Sequence, residues 1–154
     1  MSAAESIVLP PLYLRDAMPG DTWLMLPNVR QADIDELKAL GVTPEQCLRL
    51  GLQLSERATT IFLYGEPAGV VGVIDYGQYK LPWAVFTTAI DRHPIPFLRG
   101  ARAWMRGVDG FLLNYVDARN AATIRWLHWL GFVIEKPMPY GVNAEPFCRF
   151  WRTS

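Results

Sequence analysis

The stretch "NAATIRWLHWLGF", from Asn120 to Phe132, constrains the fold of this chain more than any other part of the sequence. Asn120 is a favourable helix N-cap, and the Leu-Gly-Phe ending is typical of a helix stop. Two apolar stripes run along the helix between these ends. They consist of Ile124, Leu127 and Leu130 on one side, and Ala122, Trp126 and Trp129 on the other. A helix that is apolar over most of its circumference is buried on two sides, so the chain must place it within a layered structure.

The rest of the sequence predicts helices and strands of a single α+β domain over residues 1–154, with an N-terminal extension at residues 1–11. A capping box at Thr43 and Gln46 opens one helix, and Gly65-Glu66-Pro67 between two β-branched runs predicts a hairpin. The predicted order is one strand, three helices, three strands, a helix, a strand, a helix and two strands. These are placed at 12–17, 21–26, 31–40, 43–58, the two arms around 65–67, 83–90, 94–108, 110–116, 120–132, 132–136 and 146–152. The sheet is expected to be mixed and mostly antiparallel, with helices on both faces.

Composition excludes several classes of function. The chain is 51% hydrophobic and 19% charged, and its 15 basic and 15 acidic residues cancel. We therefore predict no general nucleic-acid binding, because no net field attracts the phosphate backbone. No apolar run reaches the length of about 18 residues that predicts a membrane span, and the N-terminus does not resemble a signal peptide. Cys47 and Cys148 fit a reducing compartment, and with His93 and His128 unsupported by nearby ligands we predict no metal site.

Two motifs resemble the GNAT acetyltransferase superfamily. The first is "LRDAMPGD", which is similar to the arginine–proline–acid sequence that follows the first strand in many members. The second is "NYVDARNAATIRWLHWLGF", in which Asn120 opens a helix and Leu-Gly-Phe ends it. With the order of elements, the resemblance covers roughly residues 12 to 152. It implies the GNAT-like mixed sheet flanked by helices.

A narrower likeness is to GNAT-like proteins of short-tailed bacteriophages, which include an internal virion or virion-assembly protein. The segments that carry it are "LPWAVFTTAIDRHPIPFLR", "NYVDARNAATIRWLHWLGF" and "PMPYGVNAEPFCRF". This likeness implies a location in the cytoplasm of an infected bacterial host, with the virion as a second location.

Two departures from the superfamily pattern bear on catalysis. Superfamily enzymes hold the pyrophosphate of acetyl-CoA on a glycine-rich loop before a helix N-terminus, yet here "TTAIDRHPIPFLRG" has no glycine before Gly100. Pro94 and Pro96 also lack backbone N–H groups. Leu127 stands where many members carry a tyrosine acid. These losses predict a non-catalytic or degenerate homologue without a bound cofactor, which acts through protein–protein contacts in virion assembly or as an internal virion component.

The alternative is an active acyl-CoA-dependent N-acetyltransferase that modifies a host or phage amine and binds acetyl-CoA. The resemblance then implies cofactor contacts and catalytic groups. The cofactor contacts are Asn114, Asn120, Arg92 and Arg99; the catalytic candidates are Tyr115, Asp91 and Glu135, with Asp75 as another base and Tyr140 as another acid. Simpler roles are also open, since Asn120 can merely cap its helix and Arg99 can belong to a solvated face. A second alternative is a host-takeover binder that inhibits a bacterial protein.

The second apolar stripe predicts a contact surface. Large aromatic side chains such as Trp126 and Trp129, with Ala122 beside them, are typical of interface hot spots. Partners would be other phage proteins, host proteins or a second copy of the chain in a homodimer. Alternatively, the segment "EPFCRFWR" near the C-terminus covers this stripe within the chain.

Overall fold

Helices cover both faces of one eight-stranded sheet in the computed structural model of the protein, which describes residues 8–154. Residues 1–7, the larger part of the predicted N-terminal extension, lie outside the described residues. The strands are β1 (Tyr13–Asp16), β2 (Arg57–Leu63), β3 (Glu66–Asp75), β4 (Lys80–Phe86), β5 (Leu112–Asp117), β6 (Val133–Ile134), β7 (Met138–Tyr140) and β8 (Glu145–Arg152). The predicted α+β class and the largely antiparallel sheet are confirmed.

Six helices and one 3-10 turn connect these strands. They are α1 (Asp21–Met25), the 3-10 turn Leu26–Asn28, α2 (Gln31–Leu40), α3 (Pro44–Leu54), α4 (Ala89–Arg92), α5 (Pro94–Arg106) and α6 (Ala121–Trp129). The capping box predicted at the start of α3 is present, because the Thr43 side chain accepts the N–H of Gln46 and the Gln46 side chain accepts the N–H of Thr43. The Asn120 side chain caps α6 by accepting the N–H of Thr123.

The strand predicted at 83–90 is wrong at its C-terminal half. Strand β4 ends at Phe86, and α4 begins at Ala89. The reason is local hydrogen bonding: the Thr87 hydroxyl donates to the carbonyl of Pro67 and accepts the N–H of Ala89. The backbone therefore leaves the sheet ladder and turns. Two further differences lie at the C-terminal edge, where the predicted strand at 132–136 is reduced to β6 and the short strand β7 was not predicted.

The strands follow the order β1-β2-β3-β4-β5-β8-β6, with β7 also paired to β8. Strands β1 to β4 form one antiparallel half, and β5, β8, β6 and β7 form the other. The halves meet only where β4 runs parallel to β5, and there a single pair, Lys80 with Leu112, is in register. The sheet is thus nearly divided along the β4–β5 line.

Side chains of β3 show how the two layers are formed. Val70 and Ile74 pack in a cluster with Leu37 of α2 and Leu48 of α3. Val73 belongs to a different cluster, which contains Trp104 of α5 and residues packed from α6. Because successive strand residues point to opposite faces, β3 supplies both layers. Helices α2 and α3 therefore lie on one face, and α5 and α6 lie on the other.

The indole of Trp83 fixes the distance between α3 and the sheet. It lies in a slot between Gly51 of α3 and Gly72 of β3, and a Cβ at Gly51 would come within 2.4 Å of the ring. The indole N–H donates to the hydroxyl of Ser55 over 2.7 Å. A residue larger than glycine at position 51 would therefore push α3 away from β4.

The motif "LRDAMPGD" forms a hydrogen-bonded centre around the buried carboxylate of Asp21. Arg15 donates to both carboxylate oxygens over 2.7 and 2.8 Å, Thr60 donates its hydroxyl over 2.6 Å, and Met18 donates its N–H over 2.8 Å. Burial alone would raise the pKa of Asp21, but the hydrogen bonds from Arg15 and Thr60 outweigh it and hold the pKa below its usual range. The carboxylate thus joins β1, β2 and the start of α1.

We predict that Asp21→Asn lowers the free energy of unfolding by about 2 to 4 kcal/mol at pH 7, because it leaves Arg15 without its charged acceptor. A carboxyl whose folded pKa is depressed contributes stability above its unfolded pKa and loses that contribution as the pH falls through the folded value. The difference between wild type and variant should therefore shrink in acid. Urea unfolding at pH 7 and pH 3 measures both effects, with the exposed Asp16→Asn as the control. Equal losses at the two pH values would contradict this account.

Candidate functional site

The separation of β4 from β5 begins at Pro82, because the backbone nitrogen of proline carries no hydrogen to donate. At the one residue pair in register between these strands, the N–H of Lys80 donates to the carbonyl of Phe111 over 2.8 Å. Two residues later the chain offers Pro82, which has no N–H to continue the ladder. Its carbonyl still faces β5, where it accepts the side-chain amide of Asn114 over 2.6 Å. Beyond this contact the strands separate.

The separated strands open a cavity of about 540 Å³, called the cleft below. One wall comes from α2 and α3 and includes Leu37 and Leu50, and the other comes from α5 and α6 and includes Trp104 and Leu127. Among its lining residues in the described part of the chain, the charged side chains are Arg30, Asp33 and Glu36. The cleft is therefore mostly apolar with a few polar groups, as binding sites for small molecules usually are.

Strand β4 presents an open backbone edge to the cleft at Ala84. The neighbouring residues Pro82 and Phe86 direct their backbone groups away from β3, since Pro82 accepts from Asn114 and the N–H of Phe86 donates to Asp33 over 2.7 Å. Backbone groups alternate along a strand, so Ala84 points its N–H and carbonyl in the same direction. No strand of residues 8–154 faces it there, because the β4–β5 register is limited to the Lys80 pair.

Glu36 is a titratable group within the cleft. Its side chain is partly buried, and one carboxylate oxygen accepts the N–H of Asp117 over 2.7 Å. Burial raises the pKa of Glu36 most, the hydrogen bond from Asp117 lowers it, and the charges of Asp33 and Asp117 raise it again, to about 7. A carboxyl group with a pKa near neutrality in an apolar cleft is suited to accept and release a proton.

The buried pair of Arg30 and Asp33 spans the cleft from α2 to α6. The guanidinium of Arg30 donates to Asp33 over 2.7 Å and to the hydroxyl of Thr123 over 2.9 Å, and it lies 4.9 Å from the ring centre of Trp126. The second oxygen of Asp33 accepts the N–H of Phe86. Both charges are thus satisfied by each other and by the protein.

The loop between β4 and α5 does not form a backbone cradle for phosphates. Its own bonds use the N–H groups of Ala89, Asp91 and His93. At the start of α5, Pro94 and Pro96 have no N–H to offer. The absence of the glycine-rich loop, inferred from sequence, therefore corresponds to a shortage of free donors in the structure.

Asn120 carries an unpaired donor. Its side chain is only 8% exposed, and its amide nitrogen has no hydrogen-bond partner among the described residues, while its oxygen caps α6. Leaving a buried donor unpaired is costly, so this amide is suited to an acceptor from outside the chain. Asn114 is different, because its amide oxygen and nitrogen are both used within the sheet.

The other residues named from sequence are distributed unevenly around the cleft. Tyr115 lines it and stacks on Tyr140 with ring centres 4.0 Å apart. Glu135 pairs with Arg149 of β8, and Arg92 pairs with Glu66 of β3. Neither of these two pairs lines the cleft in residues 8–154. The cleft lining also excludes three exposed side chains named from sequence, Asp75, Asp91 and Arg99.

Within the described chain, Trp126 of the second stripe is covered by side chains other than those of the C-terminal segment. Contact of this stripe with another chain stays a prediction. Trp126 packs edge-on against Phe86 and Phe97, with ring centres 6.3 and 5.0 Å away, and Arg30 lies across it. The C-terminal strand instead packs beneath the first stripe. Trp129 is 43% exposed with the guanidinium of Arg102 over its ring, and Ala122 is partly buried beside it.

Glu36 was missed in the sequence analysis, although a signal was present. Helix α2 carries Asp33, Glu36, Leu37 and Leu40 at positions i, i+3, i+4 and i+7, so two acids share the face that carries the leucines. Acidic residues on a core-facing stripe are unusual and indicate a site. The described part of the chain contains no group of His, Cys, Asp or Glu side chains suited to a metal ion, and no helix there is long and apolar enough to cross a membrane.

Solved structures with the same fold are acetyltransferases. A GCN5-related N-acetyltransferase from Kribbella flavida matches 94% of this chain and 98% of its own at 16% identity, with a TM-score of 0.65. Ard1 from Thermoplasma volcanium matches 93% and 97% at 18% identity, with a TM-score of 0.66. The acetyltransferase yncA from Salmonella typhimurium, solved with its cofactor acetyl-CoA, matches 94% of each chain at 15% identity, with a TM-score of 0.57. Neither a family model nor a curated protein sequence matches the chain.

These comparisons confirm the GNAT fold and correct the functional prediction. The prediction of a non-catalytic bacteriophage protein acting through protein contacts is contradicted, because structural neighbours such as those from Kribbella flavida and Salmonella typhimurium are named as acetyltransferases. The narrower phage likeness finds no support among them. The prediction that no cofactor binds is not supported either, since one neighbour was solved with acetyl-CoA. The acetyltransferase alternative is the better supported of the two.

The pKa of Glu36 predicts a measurable effect on stability. Because its folded pKa, about 7, lies above the ordinary value of 4.5, Glu36 opposes folding once the pH rises through that interval. We expect Glu36→Gln to gain about 1 to 3 kcal/mol of unfolding free energy relative to wild type between pH 5 and pH 8. Urea unfolding across this range measures it. Asp35→Asn, on the exposed side of the same helix, is the control, and parallel pH curves for wild type and Glu36→Gln would contradict the assignment.

Proposed function

We propose that the protein is an N-acyltransferase that moves the acyl group of a thioester such as acetyl-CoA to a primary amine. The observation that carries this proposal is the presence of the open β4 edge at Ala84 and the carboxyl group of Glu36 in one cleft. Acyl transfer to an amine needs a donor for the acyl oxygen and a base for the amine proton. The fold shared with acetyltransferases supports the same reaction class.

The cleft fits the acyl-bearing arm of such a donor. That arm carries amide groups, and one of their N–H groups can donate to the free carbonyl of Ala84 as a further strand would. This leaves the Ala84 N–H for the acyl oxygen. Asn120 is not among the described residues that line the cleft, so its unpaired amide nitrogen is not assigned to this arm. The residues do not provide a backbone cradle for the phosphates, so contacts with them are assigned to side chains. Arg99 is exposed without an ion pair among the described residues, and Arg92 shares its charge with Glu66.

The residues of the cleft divide the chemistry between them. When bound, the donor supplies an acyl carbonyl on a thioester, whose C–S bond is replaced by the N–C bond of an amide. Ala84 donates its N–H toward the acyl oxygen, and Glu36 takes the proton that the amine nitrogen loses. The sulfur leaves as a thiolate and receives a proton from a phenol of the cleft. Of the three tyrosines that line the cleft, the two assigned to this role are the stacked pair of Tyr115 and Tyr140, and burial raises the pKa of Tyr140, which keeps it protonated.

We predict that purified protein releases free thiol from acetyl-CoA in the presence of a primary amine. The kcat/KM for the amine should show a limb with a pKa near 7 that reports Glu36 in its ionised form. Glu36→Gln should remove this limb and lower kcat by about a hundredfold or more, which is typical of a lost general base. Thiol release followed from pH 5.5 to 9 measures both.

The control for this experiment is Glu135→Gln. It also converts a glutamate to its amide, but at a residue paired with Arg149 outside the cleft. It should leave the limb and kcat within about twofold of wild type, since surface changes away from a site have small effects. Loss of activity in Glu135→Gln with retention in Glu36→Gln would transfer the base role to Glu135.

A second prediction concerns the donor. Because the β4–α5 loop lacks free backbone donors for phosphate, the nucleotide part of CoA should contribute little binding. We expect kcat/KM for acetyl-CoA to exceed that for acetyl-pantetheine, which lacks the nucleotide, by about tenfold or less, equivalent to one or two exposed arginine contacts. Parallel kinetics with the two donors measure the ratio. A preference above a thousandfold would show that a strong phosphate site exists.

A further inference from the structure

We propose, on the basis of the acyltransferase function above, that the acceptor is a small monoamine attached to an apolar, ring-bearing body. The inference comes from the charges and the walls on the α2 and α3 side of the cleft. There the amine would place its nitrogen against Glu36 and its ring against tyrosine and leucine side chains. Neither the shared fold nor the reaction chemistry determines this choice.

The charge content of the cleft limits what an acceptor can carry. Of its three charged lining residues in the described chain, Arg30 and Asp33 neutralise each other, and Asp33 also accepts the N–H of Phe86. Glu36 remains, with one oxygen occupied by the N–H of Asp117 and the other available. The cleft therefore has one carboxylate oxygen for one ammonium group.

Two large classes of amine are disfavoured on this basis. A polyamine would bring a second ammonium into an apolar cleft with no further free carboxylate, and an unpaired buried charge is strongly unfavourable. A free amino acid would bring a carboxylate, and the one guanidinium in the lining, Arg30, is already committed to Asp33 and Thr123. An acceptor with a single positive group and no negative group avoids both costs.

The walls identify the rest of the acceptor. Tyr115 and Tyr140 form a stacked pair within the lining, and Tyr76 stacks on Tyr79 nearby, with ring centres 5.3 Å apart. Leu50 and Leu54 of α3 face the same cavity and remain 51% and 52% exposed. Flat aromatic rings prefer to stack on or meet the edges of other rings, and exposed leucines gain from being covered. An alkyl amine that carries an aromatic ring can contact both the tyrosines and the leucines.

The test uses two matched pairs of acceptors with wild-type protein and acetyl-CoA. Phenylalanine differs from phenethylamine by one added carboxylate, and 1,4-diaminobutane differs from butylamine by one added ammonium group. We expect kcat/KM for phenethylamine to exceed that for phenylalanine, and that for butylamine to exceed that for 1,4-diaminobutane, each by about a hundredfold. Phenethylamine should also exceed butylamine by about tenfold or more, because it covers the apolar walls.

A pair of variants locates the ring. Tyr76→Ala removes a cleft tyrosine that is 52% exposed, so the fold should tolerate it, and it should raise KM for phenethylamine by about five- to tenfold with kcat and the KM for acetyl-CoA unchanged. Tyr13→Ala removes a tyrosine of similar exposure on β1, away from the cleft, and should change none of these values.

Binding measured without donor separates the two proposals. Saturation-transfer NMR with each amine reports acceptor selectivity even if no acyl group is transferred. Selective binding of phenethylamine, with no thiol released from acetyl-CoA in the presence of any of the amines, would support the acceptor class and overturn the acyltransferase function. Transfer that favours 1,4-diaminobutane or phenylalanine would keep the function and overturn the acceptor class. The absence of both binding and transfer would overturn both.

Discussion

The site depends on one missing hydrogen-bond donor in the middle of the sheet. Strand β4 bonds to β5 at Lys80, and Pro82 then offers no N–H to continue. An antiparallel edge can tolerate such a residue, but between two central strands it forces a gap. The amide of Asn114 bridges the gap at its narrow end and satisfies the carbonyl that faces it. Everything beyond that bridge, including the free edge of Ala84, exists because the ladder stops.

A gap in a central sheet would ordinarily fill with side chains, and the Arg30–Asp33 pair explains why this one fills only in part. The pair crosses from α2 to α6 and supplies the acceptor that Phe86 would otherwise lack. Its charges cancel, so it joins α2 to β4 and α6 without leaving a net charge for ligands. Burial raises the pKa of Glu36 most, and the charge of Asp33 raises it further. Asp33 thus contributes both to the packing of the cleft walls and to the electrostatics of Glu36.

Sequence patterns predicted most of the fold because the controlling signals were local. The caps at Thr43 and Asn120 and the hairpin at Gly65 each depend on residues a few positions apart, and each was found. The end of β4 was misplaced because a contact from Thr87 to Pro67 ends it, and that contact spans 20 residues. The cover over Trp126 within the chain was not found for the same reason, since Arg30 and Phe97 rather than the C-terminal segment reach it, from distant elements. The site was predicted only in part. Tyr115 lies in the cleft, whereas the raised pKa of Glu36 comes mainly from burial, and its hydrogen-bond donor, the N–H of Asp117, is 81 positions away.

The functional prediction failed because it treated the loss of phosphate binding as the loss of chemistry. The phosphates of a CoA thioester lie far from the reacting carbonyl, and their contacts stabilise the ground state and the transition state equally. Removing such contacts raises KM but does not by itself raise the barrier of the chemical step. Groups that act on the reacting atoms are a different set, which in the proposed function consists of the backbone N–H of Ala84 and the carboxyl group of Glu36. Pro94 and Pro96 remove backbone donors that could contact the phosphates, and neither proline lines the cleft in the described chain. A chain can therefore lose the usual phosphate loop and keep the means of transferring an acyl group.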